Sequence, residues 1–549
     1  MSLIAATTKA ATTAEITLDY HARTKHKLER YAVGPETLDW DTQPNPFREF
    51  SGCSRAPLPL SADELDTSFA EIYVPATRAP EPLNLRSVGI LMQLSMGLSA
   101  WKEYGLDRWA LRCNPSSGNL HPTEAYVLSS NLPGLEDGIY HYLSRDHALE
   151  LRYRRQGKTG TVRLWVGLSS IHWREAWKYG ERAFRYCQLD LGHALGAVRY
   201  AAGTLGWGVR LLTHLGSAEL GSLMGLDRSS DFSGVEREDA ELLVAIDPYL
   251  AANLAQTQTT AEGWESRTGH WAGRANLLDP HPVYRWPVIN EVSTATRGRS
   301  TAVRSLFQYP PLQHSSSARA TDIILGRRSA QRFDRSFVMD AKTFYHLLDC
   351  LMARPIAPWD MWDVTPRLHP VFFVHRIEGL EPGIYALPRN PGAAESLRKV
   401  LRSDFEWRTL ENTPPHLPLV RLLPADCRAV ARTLSCHQAI ASDSCFSLSM
   451  LSEFEPLIRS NAHLYRHLHW EAGLLGHVLY LEAEAAGLRG TGIGCYFDDA
   501  VHDVLGIKTT QFQALYHFTV GQALADDRVT TLPAYPWQAQ GNRFQEKEG

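Results

Sequence analysis

Gly134-Leu135-Glu136-Asp137-Gly138-Ile139-Tyr140 recurs in this chain as Gly379-Leu380-Glu381-Pro382-Gly383-Ile384-Tyr385. Upstream, Leu120-His121-Pro122 recurs as Leu368-His369-Pro370. Downstream, Asp190 to Gly206 (DLGHALGAVRYAAGTLG) is echoed by Glu471 to Gly487 (EAGLLGHVLYLEAEAAG), with glycines 192 and 473, and 206 and 487, in register. Three echoes in one order mark a duplicated domain, because the repeat is far longer than a solenoid unit. A duplicated domain tends to keep the two-fold contact of a homodimer within one chain, so the expectation is an intrachain pseudo-dimer.

The 549 residues also exceed what one ordinary core accommodates. The expected divisions are an N-terminal extension (1–19), a first domain (20–294), a linker (295–320), a second domain (321–537) and a C-terminal tail (538–549). The linker is placed where TATRGRSTAVRS and QYPPLQHSSSARA lack sustained apolar periodicity. In the first copy, Leu85, Val88, Leu91 and Leu94 mark a helix, and Ala125 to Leu128 a strand. Leu191, Ala194, Leu195, Val198, Ala202 and Leu205 mark an amphipathic helix ending at Gly206, and Leu242 to Ile246 a buried strand. Val371 to Val374 and Leu515 to Val520 are the matching strands of the second copy. Helices and strands mixed within each copy predict an α+β or α/β layered domain.

Charge excludes some functions. Lysine and arginine number 56 against 60 acids, a net charge of −4, which offers no electrostatic case for nucleic acid or an anionic membrane as partner. The composition, 44% hydrophobic and 21% charged, is that of a soluble globular protein, without an apolar run long enough to span a bilayer. MSLIAATTKAATTAE lacks the apolar core of a secretory signal, so a cytoplasmic location is expected. Eight scattered cysteines without a CxxC pair predict neither a zinc site nor a disulfide framework, and no metal is expected.

Arg327-Arg328-Ser329-Ala330-Gln331-Arg332-Phe333 packs three guanidinium groups and a hydroxyl behind an apolar run, and guanidinium forks suit phosphate oxygens. Nothing like it precedes the first copy's helix at Leu85. The first copy instead holds Arg112-Cys113-Asn114-Pro115-Ser116-Ser117-Gly118-Asn119-Leu120-His121-Pro122, which reads either as an ordinary polar turn or as a loop that lets donors approach a planar polar ring. Lys178-Tyr179 precedes the long helix. In the register of the helix echo the second copy has Arg459 and Ser460 there, while Phe184 and Arg185 are matched by Tyr465 and Arg466. Gly490-Thr491-Gly492-Ile493-Gly494 follows the second long helix, and by itself fits a turn after a helix end as well as a ligand-facing segment. The adjacent pairs such as Cys436-His437 carry no geometric meaning by adjacency.

These motifs resemble the nitroreductase-like flavoprotein superfamily, and RCNPSSGNLHPTEAY with the Lys-Tyr pair resembles its streptolysin-biosynthesis (SagB-type) dehydrogenase branch, which oxidises azoline rings in modified peptides. The resemblance covers roughly residues 20 to 537. It implies an α+β fold of two tandem nitroreductase-like domains, and FMN as cofactor. It also implies that each flavin is gripped by one unit's arginine motif and glycine segment and covered by the other unit's loop. Arg327, Arg328, Ser329 and Arg332 would hold the phosphate, with Arg528 as a late basic residue. Pro115, Ser116, Ser117 and Asn119 would line the ring, with Gly492, Ile493 and Gly494 laid against it. Lys178 and Tyr179 would be catalytic. A lysine acting as base needs a depressed pKa, for which burial beside Arg182 or Arg185 is the expected cause. Because each copy lacks what the other keeps, one composite site per chain is expected. The substrate would be a small molecule or peptide, with NAD(P)H a candidate second partner and the chain monomeric as a pseudo-dimer. Two alternatives remain: an NAD(P)H-dependent reductase of nitro or quinone compounds, and an inert scaffold or peptide-binding pseudo-enzyme.

Overall fold

The computed structural model describes residues 11–74, 78–156, 162–248, 264, 268–300, 309–314, 316–361 and 365–536. Most of the expected N-terminal extension, the C-terminal tail, and residues 301–308 and 315 of the expected linker lie outside them.

The duplication is visible strand by strand. The first large sheet runs, in spatial order, Gly269–Trp271, Ala148–Arg155, Gly138–Leu143, Thr123–Ser130, Arg163–Ser170, Asp239–Asp247, Gly208–Leu211. The second runs Arg408–Thr409, Val420–Pro424, Gly383–Ala386, Leu368–Val374, Phe446–Glu453, Phe512–Gly521, Arg489–Ile493. Neighbouring strands are antiparallel in both. The echoed heptapeptides occupy the same turn. Gly134 and Gly379 both take positive φ, at 84° and 71°, where glycine avoids a Cβ clash. Tyr140 and Tyr385 both donate from the phenol to the carbonyl four residues back, Glu136 and Glu381, at 2.8 and 2.6 Å.

The two long helices, Ala183–Thr204 and Leu464–Ala485, pack against each other at the centre of the molecule. They cross where a Cβ on Gly192 would lie 2.8 Å from the Gly473 Cα, so the repeat-equivalent glycines let two backbones touch at the pseudo-two-fold. The expected amphipathic character of the first helix is corrected here. Almost every residue of it is buried, polar ones included, and several of the polar side chains find partners on the second half or the flanking sheet. Gln188 accepts from Trp470 Nε1 at 2.7 Å and donates to Glu241 at 2.8 Å. His193 meets the Tyr516 hydroxyl at 3.0 Å.

Shorter helices have readable starts. Asn84 accepts from the Ser87 amide to cap Leu85–Ser95, and Asp340 does so from Thr343 to cap Ala341–Cys350. The expected boundary at residue 20 falls inside the helix Thr13–Arg23, which packs on both halves: Tyr20 donates to the Glu181 carbonyl at 2.7 Å, and His21 contacts the Tyr465 hydroxyl at 3.3 Å. At the other end the chain also crosses over. Thr530–Leu532 pairs with the first-half hairpin Leu98–Tyr104 and Asp107–Arg112, and Tyr535 donates to the Ser144 carbonyl at 3.0 Å. Among the described residues, no helix is long and apolar enough to cross a membrane.

Candidate functional site

That crossing strand closes a cavity of about 970 Å³ between the halves. Arg327, Arg328 and Ser329 form one wall, at the end of the helix Ala320–Gly326. Pro115, Ser116 and Asn119 line it from the first half, together with Arg489 and residues 522–527 of the second. The arginine motif and the Pro-Ser-Ser loop, more than two hundred residues apart in sequence, therefore face one space.

The guanidinium groups there are poorly compensated. Arg327 is buried, at 4% exposure, with its Nε unpartnered; it donates to the Arg112 carbonyl at 3.2 Å and lies 5.1 Å over the Tyr480 ring. Arg328 donates to the carbonyls of Leu325, Arg327 and Ser99 at 2.8, 2.7 and 3.2 Å. Neither makes an ion pair among the described residues; the neighbouring Glu484 is taken by Arg489 at 3.2 Å. Burial, with Arg327 alongside, pushes the Arg328 pKa down to about 10. A buried and a half-buried cation without an acid partner favour an anion between them. Ser329 bonds the Tyr480 hydroxyl at 2.8 Å.

Other expected site residues sit elsewhere. Arg332 is exposed and outside the cavity wall, and its carbonyl accepts from the Leu524 amide at 3.0 Å. Arg528 is turned to solvent and paired with Asp526 at 2.7 Å. Gly492, Ile493 and Gly494 are not on the cavity wall. The Gly492 amide donates to Tyr480 at 2.9 Å, and a Cβ on Gly492 or Gly494 would overlap Tyr516 or Tyr186 respectively. These glycines make room for tyrosines.

Lys178 and Tyr179 stand behind the Pro-Ser-Ser loop, off the cavity wall with Ser117. A Cβ on Gly118 would stand 2.5 Å from the Tyr179 hydroxyl and 3.2 Å from Lys178 Nζ. Tyr179 packs on Tyr186 with ring centres 4.5 Å apart, and Tyr186 donates to the Gly494 carbonyl at 3.1 Å, which ties the pair to the second half. Burial lowers the Lys178 pKa, opposed by Glu175 one turn earlier. The expected part played by Arg182 and Arg185 is corrected: both are spent on Asp498, at 2.9 and 2.7 Å, and hold its carboxyl well below the usual range.

Two buried acids beneath the loop escaped the sequence reading. Asp190 accepts from the Ser117 amide and hydroxyl at 3.0 and 2.9 Å, and burial raises its pKa to about 7. Glu175 is fully buried with both oxygens unpartnered, and burial, then Asp190, raises its pKa well above the ordinary value. A signal for Asp190 did exist. It aligns with Glu471 in the helix echo, and Glu471 accepts from the Arg367 amide at 3.0 Å, so both copies place an acid under the loop before the same strand. At some distance from this site, His314 and His346 meet Glu482 at 3.0 and 3.1 Å in a largely buried triad that the sequence did not single out.

No family model matches the chain. A crystal structure described as a "putative nitroreductase" from Anabaena variabilis superposes with a TM-score of 0.67 at 21% identity, covering 93% of this chain and 99% of that one. The fold is nitroreductase-like. Over 218 residues this nitroreductase-like chain is 26% identical to the Trifolitoxin-processing protein TfxB of Rhizobium leguminosarum bv. trifolii, covering 36% of the chain and 53% of the relative. Over 139 residues it is 26% identical to "Putative nitroreductase MJ1384" of Methanocaldococcus jannaschii, covering 23% of the chain and 67% of the relative. The chain thus spans about half of the first curated relative and two thirds of the second.

Proposed function

We propose that this nitroreductase-like chain is an FMN-dependent oxidoreductase of the SagB-type dehydrogenase kind, with one composite site between its two domains. The observation that carries this is the pair of uncompensated guanidiniums on Arg327 and Arg328, facing Pro115, Ser116 and Asn119 across a cavity of about 970 Å³. The volume suits a cofactor of mononucleotide size, and the orphaned Arg327 Nε is a donor that a phosphate oxygen satisfies. Bound FMN would supply hydride transfer to or from an organic substrate. Arg327, Arg328 and Ser329 would hold its phosphate end. Lys178, relieved of part of its proton affinity by burial, would take a proton from substrate carbon, with the Tyr179 hydroxyl orienting the same substrate.

A relative named for processing trifolitoxin supports modification of another molecule as the task; an azoline-containing peptide is the substrate class that the sequence resemblance implies. The mirror position supports a single site. Its strand Gly208–Leu211 lies against the helical turn Trp359–Met361, and Asp360 there pairs with Arg199 of the first long helix at 2.8 Å, so an acid rather than a free arginine pair stands on that side.

The test is reconstitution. The purified chain incubated with FMN should turn yellow, and the Arg327→Ala/Arg328→Ala double variant should not. Lys178→Ala should keep the flavin yet lose azoline-oxidising turnover by about 10²–10⁴-fold. A wild-type protein that stays colourless, or a Lys178→Ala variant with undiminished turnover, contradicts the respective assignment.

A further inference from the structure

Cys436 and Cys495 stand with their sulfurs 2.6 Å apart, closer than the about 3.5–4.0 Å of ordinary non-bonded heavy-atom contact. The segments that carry them are fastened together on both sides. The Phe497 amide donates to the Leu434 carbonyl at 2.9 Å, and Gln438 Nε2 donates to the Cys495 carbonyl at 3.2 Å. Cys436 and His437 both adopt positive φ, 53° and 60°, which turns the chain at that point and is uncommon for side chains other than glycine. Cys436 and Cys495 are partly exposed, as is the distant Cys53, whereas Cys113, Cys187, Cys350, Cys427 and Cys445 are buried.

We propose that Cys436 and Cys495 are a redox-active pair that closes to an intramolecular disulfide when the protein meets a peroxide. The attacking sulfur is Cys495. Its pKa is lowered by the hydrogen bond shared with Cys436 and then by His26, whose Nδ1 accepts from the Ala32 amide at 2.9 Å and so leaves Nε2–H for the sulfur. The Cys495 thiolate attacks one peroxide oxygen, the O–O bond breaks, and Cys495 sulfenic acid and water form. The Cys436 thiol then attacks the Cys495 sulfur, a second water leaves, and the S–S bond closes. The two thiols lose two electrons and two protons; the peroxide takes them up. Because Cys495 directly follows Gly494, whose carbonyl receives Tyr186, the bridge would fasten the strand end beside Lys178 and Tyr179. The pair needs no flavin to act.

The full-length wild-type chain, treated with hydrogen peroxide, denatured, alkylated and peptide-mapped, tests this without any substitution. The expected result is one linked peptide pair joining Cys436 to Cys495, released by dithiothreitol, with the buried cysteines alkylated as free thiols. Recovery of Cys436 and Cys495 as alkylated thiols, or as sulfinic or sulfonic acids without a link, overturns the proposal. A Cys436→Ser chain should instead accumulate a dimedone adduct at Cys495; an adduct absent from Cys495 overturns the assigned order of attack.

Discussion

Three main-chain carbonyls, those of Leu325, Arg327 and Ser99, aim the Arg328 guanidinium without neutralising it. An incoming phosphate would gain charge-assisted hydrogen bonds worth about 1.5–3 kcal/mol. Arg328→Ala should therefore weaken FMN binding about 10- to 100-fold by fluorescence titration, while an unchanged affinity would place the phosphate elsewhere. Asp190 makes a separate statement through pH. Its pKa is raised to about 7 in the folded chain against about 3.9 unfolded. Below pH ~4 both states hold the proton; as pH rises towards 7 only the folded state does, so stability falls, and above that the cost is constant. Asp190→Asn should be more stable than wild type by about 2–4 kcal/mol at pH 8 and by little at pH 4.5 in denaturant titrations. An equal difference at both values rules out the buried carboxyl as its source. At this scale the sequence singled out Arg327, Arg328 and Ser116, which line one cavity, and the Lys-Tyr pair behind it, because their types are chemically marked. It hid Glu175 and the proximity of Cys436 to Cys495, because burial and contacts across tens of residues leave no local pattern.

Between the long helices, shape decides more than polarity. A Cβ at Gly192 would overlap the Trp470 carbonyl, and one at Gly473 the Leu189 carbonyl, so backbone stands in the way and cannot step aside cheaply. Gly192→Ala should lower stability by about 1–3 kcal/mol or more. Gly221→Ala, in a helix with nothing within 4 Å of the added carbon, should be neutral or stabilising by up to about 1 kcal/mol. Urea unfolding of the two variants checks both; equal behaviour would mean that the helices do not meet at the glycines. Apolar spacing located these helices and the strands at 125–128, 242–246, 371–374 and 515–520 within elements of the fold. Their order in the sheets was not legible, because antiparallel register is fixed by pairing across long sequence separations. The glycine segment at 492–494, which the resemblance lays against the flavin, gives space to Tyr516 and Tyr186.

At the scale of the whole molecule, duplication was the most legible feature, since collinear echoes survive where individual motifs have diverged. The two halves share six strands in the same spatial order, and the chain ends reach across them: the N-terminal helix bridges both halves and Thr530–Leu532 joins the first half's hairpin. That exchange, invisible to periodicity, encloses the cavity on one side of the pseudo-two-fold. On the other side Asp360 meets Arg199 and Trp359–Met361 lies over the counterpart strand. Under the proposed function, only one of the two counterpart positions holds a flavin. Saturating titration of flavin-free protein with FMN, read by fluorescence quenching against protein concentration, measures this directly. One flavin per chain is the predicted endpoint; an endpoint of two, or no saturable binding, would contradict it.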